Sequence, residues 1–513
     1  MRLLSILLLH ILATINAYKI LIYSAPLGYS HTTFMGRIAD ILQDAGHDVT
    51  VLHPLYQEQQ VPVVCKKAKK MLFALPEKLR EELQPGMLEV WEASSISEQL
   101  RLLTTHTVSQ LRTCDLLLGD NRTMQLLADE HFDAGITEVL GTCGYGIFDK
   151  VGIDHIISTT ALGILDTMGD LYDLPRLPSI TPSYVLPYND RMTFLERTIN
   201  FAVSCIVDIT AYLISSEYAS VWQRHGVTTL EDDYVARTNF LLSNTDEFLE
   251  FARPTTAKIV HIGGIALQDR TPLSKELQRI MDKSKGVVYM SFGSITPTKR
   301  MPHRVRHAIL EVVKKFNTLD FIWKVDPDDS IEGISNLHTS TWLPQQAILA
   351  HPKLLCFVSH AGLNSVLELT RSGVPSILVP IFADQFRNAR LVESKNTTIV
   401  IAKEDFNYEG FEAALRRIAN DKSYSLRAQQ LASLMMNKPF PLKDRLLSTV
   451  DFSIRHGKIP SMDIHSRQLN TLQFHSVDVV AFLSILSISV LYVSFHSCKY
   501  FFKKFILVKE KSE

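Results

Sequence analysis

From His360 to Glu368 the chain reads HAGLNSVLE, directly after the apolar run LLCFVS (354–359). His360 ends a strand in this reading, and the residues after it begin a helix. A helix N-terminus exposes unpaired N–H groups and a partial positive charge, so it favours phosphate. Gly362 lets the backbone approach a ligand closely. Asn364 and Ser365 can cap the helix or donate hydrogen bonds to phosphate oxygens. Glu368 follows Asn364 on the same helix face, about 6 Å further along. A carboxylate so near a diphosphate makes sense if it accepts from a ribose hydroxyl. An ordinary capped strand-to-helix turn would use the same residue types, so the neighbours decide. Upstream, in WLPQQAILAHPK, Trp342 can stack on a base and Gln345 can bond a ribose or base. Downstream, Asp384 and Gln385 form an acid–amide pair suited to sugar hydroxyls. Group transfer to a hydroxyl also needs a proton acceptor, and a histidine suits this near neutral pH. His31 follows the first strand of the chain and stands at a helix start.

These residues need elements that put them at strand ends. YKILIYSAP is a short apolar run ending at Pro26, as a buried parallel strand does. In the following stretch Phe34, Ile38, Ile41 and Leu42 mark one helical face, with a stop at Gly46. DVTVLHP is the next strand, which completes a β-α-β unit. The same grammar returns in GVVYMSFGS (286–294), LDFIWKV, LLCFVSH and PSILVP (375–380), separated by helical stretches. Two α/β halves result. The stretch FARPTTAKIVHIGGIALQDRTP reads as the linker, with the boundary near residue 256. Open α/β sheets bind ligands at the carboxyl ends of their strands, and two such halves facing each other form a cleft.

The chain has 513 residues, enough for two domains and additional segments. Its 53 basic and 54 acidic residues give a net charge of −1, which offers nothing to a nucleic-acid partner. MRLLSILLLHILATINA (1–17) reads as a signal peptide, too short in its apolar core to span a bilayer. VDVVAFLSILSISVLYVSFHS (477–497) is long enough to cross once, and the lysine-rich tail 498–513 marks the cytosolic side. The final KEKSE carries lysines at the third and fifth positions from the end, similar to the dilysine retrieval signal of endoplasmic-reticulum membrane proteins. The body is then lumenal, in a single-pass type I arrangement. There Asn121 (NRT) and Asn396 (NTT) are glycosylation sequons. None of the six cysteines forms a CxxC pair, which argues against zinc, and an oxidising lumen allows some to pair. The apolar stretch FAVSCIVDITAYLI (201–214) suits a core helix, the lining of a lipophilic pocket, or a surface leaning on the membrane.

The run from Trp342 to Gln385, WLPQQAILAHPKLLCFVSHAGLNSVLELTRSGVPSILVPIFADQ, closely resembles the signature of the UDP-glycosyltransferases. The order of segments along the whole chain is similar to the membrane-bound UDP-glucuronosyltransferase branch. The resemblance implies a GT-B fold: two facing Rossmann-like α/β domains plus one C-terminal transmembrane helix. Residues 18–255 would bind the acceptor and 256–460 the UDP-sugar, with a late helix near Leu442–Arg455 returning to the first domain. It implies that Trp342 stacks on uracil, that Gln345 and Glu368 hold the ribose, and that His360, Gly362, Asn364 and Ser365 hold the diphosphate. Asp384 and Gln385 would contact the sugar, and Ser294 in the FGS loop would face the phosphates or sugar. Ser30-His31-Thr32-Thr33-Phe34 matches the family's SHxxF, whose histidine is the base.

That base needs a carboxylate behind it to support the imidazolium. The family usually places an aspartate at the end of FDxxxxD. This chain reads FDAGITE, so Glu138 takes the position with a side chain one methylene longer, and the geometry is not given by the resemblance. Displacement at C1 would invert the anomeric centre. No metal or other cofactor is expected, because the UDP-sugar is a co-substrate. The DxD within VDPDD (325–329) reads as a Pro- and Asp-rich turn. The implied partners are a UDP-sugar donor, a small lipophilic acceptor and the membrane, and the family analogy allows a homo-oligomer. Glucuronate, glucose and other hexoses all suit Asp384-Gln385. Arg253 either meets a glucuronate carboxylate or belongs to linker structure. The competing reading is an anchored UDP-sugar-binding protein without transfer activity, for which the departure at Glu138 is the one indication.

Overall fold

The computed structural model describes residues 17–510, except 57–63, 83–89, 92–95, 169–171, 173, 175–176, 228–237, 268–270, 294–295, 328, 330, 332 and 465–468. Ser294 and the expected signal peptide before Ala17 lie outside the described residues. The first lobe is built on a parallel sheet of β1 (Lys19–Tyr23), β2 (Asp48–Leu55), β3 (Lys69–Ala74), β4 (Ala134–Glu138), β5 (His155–Thr160), β6 (Thr238–Ser243) and β7 (Ile259–His261). Its order is β3-β2-β1-β4-β5-β6-β7. Both faces of β1 are covered: Ile20 and Ile22 join one core cluster, Leu21 and Tyr23 the other. This explains why the strand reads as an unbroken apolar run rather than an alternation. Helix α1 (Tyr29–Asp44) buries the expected face of Phe34, Ile38, Ile41 and Leu42. Helices α2 (Ile96–Gly119) and α3 (Cys143–Lys150) are joined by a Cys114–Cys143 disulfide.

Helix α4 (Phe194–Arg224) contains the apolar stretch 201–214, and that stretch is not core. Its buried residues are Asn200, Tyr218, Val221 and Trp222, whereas Phe201, Ile206, Ile209 and Leu213 are exposed and Tyr212 is 70% exposed. Periodicity cannot separate an apolar helix that packs against protein from one that faces outward.

The second parallel sheet contains β8 (Val287–Ser291), β9 (Asp320–Lys324), β10 (Leu337–Ser340), β11 (Leu354–Ser359), β12 (Ser376–Leu378) and β13 (Thr398–Val400). Its order is β10-β9-β8-β11-β12-β13. Val288 and Met290 enter one core cluster and Val287 and Tyr289 another, so this sheet is also covered on both faces. Helices α5 (Gln345–Leu349), α6 (Leu363–Ser372) and α7 (Gln385–Glu393) start just after strands or turns at the carboxyl edge. In each sheet the chain lays three strands outward and then returns to the far side of the first. Thus β4 returns beside β1, and β11 beside β8. The loops leaving the two central strands diverge there and open a crevice at the carboxyl edge.

The first sheet closes with β7 at Ile259–His261, past the boundary expected near 256. Late in the chain, α8 (Leu442–His456) places Leu446, Val450 and Ile454 in the core cluster of Ile20, Ile22 and Phe34. Residues 459–513 form a separate compact unit. Within it, α9 (Val477–Glu510) is long and apolar enough to cross a membrane and continues beyond residue 497 through the lysines.

Candidate active site

The switch point of the first sheet holds His31 and Glu138. His31 stands in the first turn of α1, which leaves β1; Glu138 is the last residue of β4, directly beside β1. Sheet order alone brings together two residues 107 positions apart. His31 Nδ1 lies 2.8 and 2.9 Å from the two carboxylate oxygens of Glu138. The longer glutamate therefore reaches the imidazole. Glu138 is 1% exposed and its Oε1 also accepts from the Ala161 amide at 3.0 Å, so the carboxylate is held from two sides. Burial disfavours the imidazolium of His31, but the Glu138 carboxylate, helped by Asp384, outweighs it and raises the imidazole above its ordinary value. With Nδ1 on Glu138, His31 Nε2 makes no hydrogen bond among the described residues, which is the arrangement of an oriented general base. Asp133, earlier in the same stretch, accepts from the Lys19 amide at 2.7 Å and only starts the strand.

The switch point of the second sheet holds His360. Its ring is wedged between two glycines, one after each central strand. A Cβ on Gly293 or on Gly362 would lie 2.6 Å from ring atoms of His360. Gly362 caps α6 with an ordinary φ of −61°, so its missing side chain makes room for the imidazole as well as for a ligand. Burial, followed by the nearby Lys324 charge, pushes His360 down to about 4. The ring is neutral at pH 7 and can offer a single N–H. Gly293 has φ 85°, so Gly293→Ala brings both backbone strain and a clash with His360. That substitution is expected to lower UDP affinity at least about tenfold while the protein stays folded, read by calorimetry beside a thermal melt.

Beyond His360 the expected donor residues line up along one edge. Asn364 and Ser365 lie in the first turn of α6, and no side chain caps that helix. Asn364 Oδ1 accepts instead from Asn244 Nδ2 at 3.0 Å, a bridge from the first lobe. Gln345 receives the Tyr289 hydroxyl at 3.0 Å, and both Gln345 and Gln346 donate to Glu368. Burial raises the Glu368 carboxyl above its usual range, and these two amides pull the other way. Trp342 is 72% exposed, an open indole platform beside them.

Asp384 stands at the start of α7, holding Asn388 Nδ2 at 2.7 Å, with Ala383 in the left-handed region at φ 53°. Burial raises its carboxyl. Gln385 is spent partly on structure: its Oε1 accepts from the Ile381 and Phe382 amides at 2.9 and 3.1 Å, leaving Nε2 for a ligand. Asp384 and His31, from different lobes, are close enough to bias each other's protonation.

Several residues here escaped the sequence reading. Arg387 is 2% exposed and pairs with Glu250 across the lobes at 2.7 Å. Arg253, already weighed from the sequence as a partner for a glucuronate carboxylate, stands in the same charged cluster, and its Nη2 has no hydrogen-bond partner among the described residues. His106 on α2 is an electrostatic neighbour of His31, pushed down to about 4 by burial. Gln110, one turn on, donates to the Pro26 carbonyl at 2.9 Å and fixes that helix over the β1–α1 loop. Lys324 ends β9 and bonds the Gly293 carbonyl at 3.1 Å. Only Lys324 carried a signal, its place after an apolar strand. Of the DxD at Asp326 and Asp328, Asp328 lies outside the described residues, and Asp326 accepts from Thr298 and Lys299; the following Asp329 pairs with Arg306 at 2.8 Å. Among the described residues no group of three His, Cys, Asp or Glu side chains is arranged to hold a metal.

Known proteins share this sequence over most of its length. The profile of the family described as "UDP-glucoronosyl and UDP-glucosyl transferase" matches residues 19–512. The Caenorhabditis elegans protein named UDP-glucuronosyltransferase ugt-47 is 31% identical over 93% of this chain and 92% of its own length. Human UDP-glucuronosyltransferase 1A6 is 28% identical, over 93% and 91% respectively. Among solved structures, the glycotransferase of kitacinnamycin has a TM-score of 0.58 at 17% identity, covering 85% of this chain and 99% of that one. LpCGTa in complex with UDP has a TM-score of 0.57 at 15% identity, covering 86% and 99%. The structural likeness fixes the two-sheet architecture as GT-B. The sequence matches go further: the chain belongs to the UDP-glucuronosyl and UDP-glucosyl transferase family and is a UDP-sugar-dependent transferase of the UDP-glucuronosyltransferase type.

Proposed function

We propose that the protein transfers glucuronate from UDP-glucuronate to a hydroxyl of a small lipophilic acceptor, with inversion, in the lumen of the endoplasmic reticulum. The observation that carries this reading is the His31–Glu138 pair standing opposite Asp384. A base with its second nitrogen unengaged then faces the sugar end of a donor edge. In the proposed reaction the acceptor proton moves to His31 Nε2 as the acceptor oxygen attacks C1. The bond from C1 to the phosphate oxygen breaks, and the electron pair leaves with UDP. Glu138 holds the Nδ1 tautomer and supports the imidazolium. Trp342 stacks on uracil, Gln345 and Glu368 hold the ribose, and His360, Asn364, Ser365 and the amides after Gly362 hold the diphosphate. Asp384 and the Gln385 amide hold the sugar hydroxyls.

The Nη2 of Arg253, without a hydrogen-bond partner among the described residues, favours a donor sugar that carries a carboxylate. Burial holds its guanidinium below the usual range; the Glu250 carboxylate opposes this and Arg387 adds to it. The Cys114–Cys143 disulfide, the exposed sequon residues Asn121 and Asn396 and the apolar α9 support this compartment. The exposed apolar face of α4 fits an enzyme that leans on the membrane where lipophilic acceptors partition.

The test supplies microsomes containing the full chain with UDP-glucuronate, UDP-glucose, UDP-xylose and UDP-N-acetylglucosamine, each with a mixed panel of phenols and lipophilic alcohols. UDP release and glycoside formation are followed by mass spectrometry. Transfer from UDP-glucuronate, at least about tenfold faster than from UDP-glucose, is expected. Transfer from UDP-glucose alone would overturn the donor assignment.

A further inference from the structure

In the donor cradle, strands β9, β8 and β11 lie side by side, and their carboxyl ends deliver Lys324, Gly293 and His360. Lys324 is half-buried, and its Nζ donates to the Gly293 carbonyl at 3.1 Å. Gly293 is the residue whose missing side chain admits the His360 ring. The ammonium is thus held against the loop that closes on His360. A lysine at a strand end ordinarily extends its head into water; here a carbonyl keeps it in.

No carboxylate pairs with Lys324 among the described residues. On its own loop, Asp326 accepts instead from the Thr298 hydroxyl and the Lys299 amide at 3.3 and 3.2 Å. Another cation of this region, Arg306, is matched by Asp329. His360 is neutral at pH 7. Burial lowers the Lys324 ammonium, while Asp326 opposes the shift. A partly desolvated cation without a counter-ion is costly unless an anion arrives. A diphosphate at the mouth of β8 and β11 is such an anion.

We propose that Lys324 binds the diphosphate of the donor and stabilises the negative charge that the departing UDP takes on. The inference rests on the donor-site reading above and adds a residue to it. When C1 accepts the acceptor oxygen, the electron pair of the broken bond goes to the β-phosphate oxygen. Lys324 stays protonated throughout and acts by charge. A preorganised ammonium at that oxygen supplies the electrostatic stabilisation that the leaving group needs.

The test uses the detergent-solubilised full chain as wild type, Lys324→Gln and Lys324→Arg. Glutamine removes the charge but, with a side chain one bond shorter, also loosens the contact to the Gly293 carbonyl, and Lys324→Arg, which keeps both charge and reach, separates the two effects. Titration calorimetry with UDP and with uridine separates diphosphate recognition from base and ribose recognition. Lys324→Gln is expected to weaken UDP about 10- to 100-fold and leave uridine within about twofold. It should also lower kcat at saturating donor at least about tenfold, with Lys324→Arg recovering most of the loss. Unchanged UDP affinity and kcat in Lys324→Gln would overturn the proposal. So would equal losses for UDP and uridine with a lowered melting temperature, the signature of a lysine that only props the loop. Wild type that fails to bind UDP would instead remove the donor-site reading itself, and this proposal with it.

Discussion

Replacing His31 by alanine is expected to abolish sugar transfer while leaving UDP bound about as tightly as in the wild type. The imidazole is the proton acceptor of the proposed reaction, and a positioned general base contributes about 10²- to 10⁴-fold. His31 belongs to the first lobe, and the cradle around His360 and Glu368 is assembled from the second. Removing the imidazole should therefore reduce turnover by that factor with UDP affinity unchanged within about twofold. Calorimetry with UDP beside turnover in the same preparation reads both quantities. Transfer at the wild-type rate in His31→Ala would assign the proton to another group. Equal loss of UDP binding would mean that the substitution disturbed the donor lobe.

The second large effect belongs to Glu138. Glu138→Gln keeps the volume and a hydrogen-bond acceptor, but it removes the charge that stabilises the imidazolium and can leave His31 in the wrong tautomer. A loss of about 10²- to 10⁴-fold in kcat is expected, by the logic of carboxylate–histidine pairs. The pH profile gives a sharper readout. Neutral imidazole is the active form of a general base, so the rate rises with pH through the pKa of His31. Burial lowers that pKa, and Glu138, with a smaller push from Asp384, raises it above the ordinary 6.5. His106, also facing His31, is neutral in this range and adds no charge. The acid limb of the wild type should therefore lie above 6.5 and move to lower pH in Glu138→Gln. A limb that stays in place as activity falls would show that Glu138 braces the loop, through its bond to the Ala161 amide, without tuning the base.

The departure from the family's aspartate bears on the same pair. Both oxygens of Glu138 lie within 2.9 Å of Nδ1, so the longer carboxylate meets the imidazole. Within the described structure the substitution leaves a formed dyad, and it gives no support to a binding protein that has lost its chemistry.

What the sequence could determine was local. The donor signature from Trp342 to Gln385 is a succession of strand, turn and helix, each positioning the next few residues. Spacing along the chain therefore translates directly into placement along one sheet edge. Strands β1, β2, β8, β9, β11 and β12 were legible for a related reason: a parallel sheet covered on both faces favours unbroken apolar runs, whereas β3, with its mostly exposed side chains, gave no such run. Tertiary structure decided what depends on residues far apart. Whether Glu138 touches His31 depends on β4 returning beside β1, a property of sheet order rather than spacing. The exposure of α4 was hidden, because an apolar helix has the same composition whether protein or its surroundings cover it. The Cys114–Cys143 pairing and the Asn244–Asn364 bridge required the lobes and helices to be in place. Lys324 is the clearest case: the sequence shows only a lysine at the end of a strand. Its hydrogen bond to Gly293 and its place near His360, with no carboxylate paired to it among the described residues, arise from three strand ends meeting at one switch point.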